Sequence, residues 1–80
     1  MHLTIFTPDR KIFTGDVQQA TFPGSAGSFQ VLNNHAPLVS VLKKGTILYG
    51  DVKQEQALAI EAGWVEVRNN NITVLITSAT

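Results

Sequence analysis

The chain has 80 residues, six Lys or Arg against six Asp or Glu, and no cysteine. That length is one domain, residues 1–80; the missing cysteines exclude a disulfide framework, and the balanced charge leaves no electrostatic footprint for nucleic acid. With only His2 and His35 besides, the chain falls short of the Cys and His set that closes a structural zinc site. A chain of this size buries roughly 60% of its unfolded surface, so its core comes from packing alone or is helped by a partner. A hydrophobic content of 44% is enough for that core. No apolar run approaches the ~20 residues that cross a bilayer, and Met1-His2-Leu3-Thr4-Ile5 lacks the basic and apolar regions of a signal peptide. A cytoplasmic setting fits the lack of cysteine and of a signal.

The hydrophobic period is two almost throughout. Leu3 and Ile5 alternate with His2, Thr4 and Phe6, an opening strand that leaves Phe6 off the inferred core face. Pro8-Asp9-Arg10-Lys11 reads as a turn, with Pro presetting φ and Asp9 hydrogen-bonding nearby backbone. Ile12 and Phe13 resume the apolar pattern and Gly15 interrupts it. Val17 is out of phase with Ala20 and Phe22, which predicts a one-residue bulge near Gln18-Gln19. After the loop Pro23–Gly27, Phe29 and Val31 alternate with Ser28 and Gln30, and Asn33-Asn34 makes another turn. Val39 and Val41 alternate with Ser40, and Gly45 precedes a strand expected over Thr46–Val52. Lys53-Gln54-Glu55-Gln56 reads as a hairpin tip, followed by Leu58, Ile60 and Ala62 at alternate positions and a bend or bulge at Gly63. Trp64 is expected to be packed, with its indole N–H satisfied. Val65 and Val67, the turn Asn69-Asn70-Asn71, and Ile72, Val74 and Ile76 complete the pattern. Val, Ile, Thr and aromatic residues dominate these segments, and none has apolar residues at helical spacing. Turns every eight to twelve residues or so are the rhythm of an all-β sandwich or barrel.

The residues that carry chemistry are scattered. Asp9, Asp16, Asp51, Glu55, Glu61 and Glu66 fall on turn tips and polar strand faces and form no acid–base pair in sequence. No serine sits in a G-x-S-x-G elbow. Gly24-Ser25-Ala26-Gly27 leads into a strand, whereas a phosphate-binding loop needs Gly-Lys-Ser/Thr and a helix. Lys43-Lys44 lacks the context of a carrier lysine, and His35 reads as a turn histidine bonded to backbone. A free-standing ligand-binding β-module, with a concave polar pocket, remains the alternative to an interaction protein.

The run Phe22-Pro23-Gly24-x-x-Gly27-x-Phe29-x-Val31-Leu32, followed by His35-Ala36-Pro37-Leu38, resembles the signature of the epsilon subunit of the F-type rotary ATP synthase. Leu3-x-Ile5, Thr7-Pro8-Asp9, Phe13-x-Gly15-x-Val17, Lys44-Gly45, Gly63-Trp64-Val65-Glu66-Val67 and Asn71-Ile72-Thr73-Val74-Leu75 extend the likeness along the chain. The resemblance implies a small flattened two-sheet sandwich, without the two C-terminal helices that follow it in the family. It implies a non-catalytic rotor subunit of the central stalk, without cofactor or metal, linking the gamma subunit to the membrane c ring and so coupling ion translocation to ATP synthesis. Its place would be the cytoplasmic face of the bacterial inner membrane, peripheral. By motif position, Ser25, Ala26, Gly27, Ser28 and Gln30 correspond to the ring-facing element, and Thr7, His35 and Ser40 to the gamma-facing side. Many relatives place a carboxylate, suited to a basic ring loop, where this chain has Ser28.

Overall fold

The computed structural model describes residues 1–79 as eight β-strands without a helix. These are β1 (His2–Phe6), β2 (Lys11–Asp16), β3 (Gln19–Gly24), β4 (Gly27–Leu32), β5 (Leu38–Leu42), β6 (Gly45–Gly50), β7 (Glu55–Arg68) and β8 (Asn71–Ala79).

The strands form two layers that share β7. The first layer runs β2-β1-β8-β7-β5. The second consists of β4 beside β3, β3 beside β6, and β6 beside β7. The 14-residue β7 pairs β6 through Glu55–Ile60 and β5 through Gly63–Val67. Its register against β8 shifts between Ile60 and Gly63, so a bulge bends one strand from one sheet into the other. Glycine is required at the bend, because a Cβ on Gly63 would stand 2.6 Å from the Leu75 carbonyl oxygen. The first and last strands lie side by side and parallel, with His2 opposite Asn71 and Phe6 opposite Leu75, which closes the chain on itself.

The core follows from the period-two pattern. Leu3, Ile5, Ala20, Phe22, Val31, Ile47, Ile60, Val65 and Val74 have no exposed surface. Burying each of the larger ones contributes about 1.5–3 kcal/mol. Among the described residues no polar or charged side chain is buried, so no desolvated polar group opposes folding. Two aromatic contacts close the layers, Phe22 on Phe29 with centroids 5.6 Å apart and Phe13 on Tyr49 at 4.8 Å.

The all-β sandwich agrees with the sequence reading, and several local expectations are corrected. Val17, Ala20 and Phe22 are all buried, but a turn between β2 and β3 achieves this, not a bulge within one strand. Gly15 stays inside β2. The strand expected at Thr46–Val52 spans Gly45–Gly50, and the tip falls at Asp51–Gln54, where Asp51 Oδ1 accepts from the amides of Lys53 and Gln54. Thr7, not Asp9, organises the first turn, its Oγ1 accepting from the amides of Asp9 and Arg10. Val39 and Val41 face solvent, at 71% and 63% exposure, while Leu38 and Leu42 carry the inward phase of β5. The hydrophobic count along β5 is even between its two faces, so polarity could not set the phase.

Candidate docking surfaces

The β3–β4 hairpin presents Ser25, Ala26, Gly27 and Ser28, all exposed, with Gly24 opposite Gly27 and only Ser25-Ala26 in the turn. The hairpin is braced from the side: the Ser25 amide donates to the Val41 carbonyl and the Lys43 amide to the Pro23 carbonyl, both at 2.9 Å. Gln30 is set back from the tip on the outer face of the second layer. Its Nε2 donates to Gln19 Oε1, and Gln19 Nε2 reaches Glu55 Oε2.

Cross-strand register defines the other surface. Val41 lies opposite Trp64, Trp64 opposite Leu75, and Leu75 opposite Phe6. Four apolar side chains thus form one row across the outer face of the first layer, with exposed Val39 a step further along β5. Trp64 is half-buried in this row, packed between Val41 and Leu75. Only Phe6 was signalled in the sequence, as an aromatic off the core phase. The row itself arises from strands distant in sequence and was not visible there.

Thr7, His35 and Ser40 do not cluster. Thr7 follows Phe6 at the hairpin end of the first layer, its hydroxyl engaged in its own turn. His35 lies at the opposite end, where the Asn34 amide donates to Asn70 Oδ1, Asn70 Nδ2 donates to Asn33 Oδ1, and the N-terminal ammonium reaches Asn33 Oδ1. The His35 ring stands with Nδ1 2.7 Å from the Ala36 carbonyl oxygen. Ser40 is half-buried on the inward phase of β5 and its Oγ donates to the Val41 carbonyl.

Three other features bear on chemistry. His2 Nδ1 lies 3.3 Å from Asp16 Oδ1 and Nε2 3.1 Å from Thr14 Oγ1, an order of groups reminiscent of a nucleophile relay. These side chains are cross-strand neighbours on an open sheet face with Asp16 90% exposed, so they brace the β1–β2 pair. At the end opposite the hairpin an open depression of about 400 Å³ has Phe13 and Tyr49 in its wall and Asp16, Asp51, Gln54 and Gln56 around them. Its two carboxylates disfavour a nucleotide's phosphates. Among the described residues no group of three or more His, Asp or Glu side chains could hold a metal ion.

The described residues thus form a closed sandwich with an apolar core, a braced polar hairpin and an apolar row on its outer face. The family model for the ATP synthase delta/epsilon chain β-sandwich domain matches residues 1–80, and the chain belongs to that family. An ATP synthase epsilon chain of Sulfurovum is 44% identical over 80 residues, and one of Maricaulis maris 38% identical over 79. The chain spans 62% and 59% of their lengths, respectively. It spans 87% of a Caulobacter vibrioides ATP synthase epsilon chain, at 32% identity over 75 residues. The same fold occurs in the central stalk and c ring structure of the Tetrahymena thermophila mitochondrial ATP synthase, with a TM-score of 0.83, 20% identity, and coverage of 99% of this chain and 64% of that one. It recurs in the Euglena gracilis mitochondrial enzyme, with a TM-score of 0.88 at 21% identity, over 98% of this chain and 51% of that one.

Proposed function

We propose that this domain is a non-catalytic connector in the rotor of an F-type ATP synthase, held between the gamma subunit and the c ring. The family match along the whole chain carries the reading. Two separate surfaces support it: the hairpin Ser25–Ser28 would rest on the ring, and the outer face of the first layer, from Thr7 to His35, would lie against gamma. The domain then transmits torque from ion passage to the catalytic subunits, and its requirement is stiffness. The bent strand β7 supplies this, because it belongs to both sheets and couples them without a hinge. The setting that follows is peripheral, on the cytoplasmic face of the bacterial inner membrane.

Trp64 is the single tryptophan and stands in the outer apolar row. Titration with purified gamma subunit is therefore expected to shift its emission to shorter wavelength, with a dissociation constant in the micromolar range or tighter. Absence of binding at micromolar gamma overturns the proposal.

A further inference from the structure

The open depression of about 400 Å³ lies between the end of β2, at the edge of the first layer, and the end of β6, in the second. The Gln18 amide donates to the Gly50 carbonyl at 2.9 Å and ties the β2–β3 link to β6 there. The Phe13 and Tyr49 rings stand 4.8 Å apart, and a Cβ on Gly15 would come within 3.2 Å of the Phe13 ring, so glycine leaves that ring its room. Tyr49 is 6% exposed, and its hydroxyl has no hydrogen-bond partner among the described residues. No buried side-chain oxygen among those residues lacks a partner, so this hydroxyl opens into the depression that Tyr49 lines. A tyrosine held so deeply normally finds a partner for its hydroxyl within the protein. Asp51 uses Oδ1 to close its turn on the amides of Lys53 and Gln54, which leaves Oδ2 for the depression. Asp16 is 90% exposed beside His2. No Lys or Arg lines the depression; Lys53 is exposed in the same turn as Asp51.

We infer that this depression binds an organic cation, an alkylammonium or guanidinium group seated on the Phe13–Tyr49 pair. Asp16 and Asp51 offset its charge, and the Tyr49 hydroxyl accepts one of its hydrogens. Such a group carries donors and no acceptor, which matches a site whose carboxylates only accept. The ring faces add attraction for a cation close to their centroids. An anion is repelled by the two carboxylates, and a plain hydrocarbon leaves the hydroxyl without a partner. A bare metal ion makes no use of the rings, and among the described residues no cluster of three ligands would hold one. The inference is independent of the rotor reading, because the cation is either a free amine or the basic side chain of a neighbouring protein.

The test follows the amide resonances of the isotope-labelled chain during titration with n-butylammonium at constant ionic strength. The titration is run at about pH 8, where an ordinary imidazole is uncharged. n-Butanol at the same concentrations is the neutral control. Saturable shifts are expected at Gly15, Gly50 and Gln54, with a dissociation constant on the order of 1–10 mM, and none that saturate with butanol. Asp51→Asn keeps an oxygen to close the turn and removes the charge; it and Asp16→Asn are each expected to weaken binding about two- to fivefold. Tyr49→Phe keeps the ring and is expected to weaken it about two- to tenfold. Lys53→Ala is expected to retain or tighten it. Equal affinity for butylammonium and Nα-acetyllysine amide assigns the cation to a protein side chain. A preference of about tenfold or more for spermidine over both assigns it to a free polyamine, and either result sustains the inference. No saturable shift through tens of millimolar, an equal response to butanol, or an affinity that neither carboxylate variant nor Tyr49→Phe alters overturns it.

Discussion

Val74 has no exposed surface and lies opposite Val65 and beside Ile5, so both neighbours across the ladder are equally dry. A carboxylate there would be unpaired, at a cost of several kcal/mol against a total stability of about 5–15 kcal/mol for a domain. Val74→Asp is expected to abolish the cooperative thermal transition; a soluble variant that melts cooperatively would place the core face elsewhere. Gly50 makes a different demand on its site. Its φ of 132° lies where L-residues rarely go, and a Cβ there would collide with the Gln54 carbonyl oxygen. Gly50→Ala should cost about 1–3 kcal/mol and lower the urea midpoint, without altering the strands seen by circular dichroism.

The β7–β8 hairpin shows how a turn at the element scale also fixes a distant loop. Asn69 and Asn70 both take positive φ, 51° and 61°, as the tight two-residue connection requires. Asn70 further holds the loop before His35, accepting from the Asn34 amide and donating to Asn33. Asn70→Ala is expected to lose both contributions, about 1–2 kcal/mol for the left-handed backbone and about 1 kcal/mol for the hydrogen bonds. Asn70→Gly should recover the first and not the second. Chemical denaturation of the two variants separates them, and equal stability of the two would show that the backbone angle costs nothing here. Hydrogen exchange at Asn34 is expected to quicken in both.

For the whole molecule, what matters is the independence of the outer face from the core. Val41 is 63% exposed, on the outward phase of β5. Val41→Asp should leave the melting curve within about 0.5 kcal/mol of the parent and still weaken gamma binding, because it puts a charge in the apolar row. An unaltered affinity would move the gamma contact to another face. The two proposed docking surfaces lie on sheets joined through β7, and a change at either is expected to leave the other's affinity unchanged.

Much of the fold was legible in the chain because alternation and turn chemistry are local. The cores of β1, β7 and β8 and the Asn-rich turns follow from neighbours in sequence. The phase of β5, by contrast, was ambiguous: Leu38, Val39, Val41 and Leu42 are all apolar, and only pairing with β7 decides which pair turns inward. The hairpin could be proposed as a contact element from its motif, whereas the bracing of that hairpin by the end of β5 was not visible there. Composition and period settle that this polypeptide is a small all-strand sandwich or barrel, since burying every second side chain depends only on order along the backbone. Which apolar residues are left outside, and which lysines stand beside the hairpin, depends on the pairing of strands far apart in the chain, and long-range hydrogen bonding sets it.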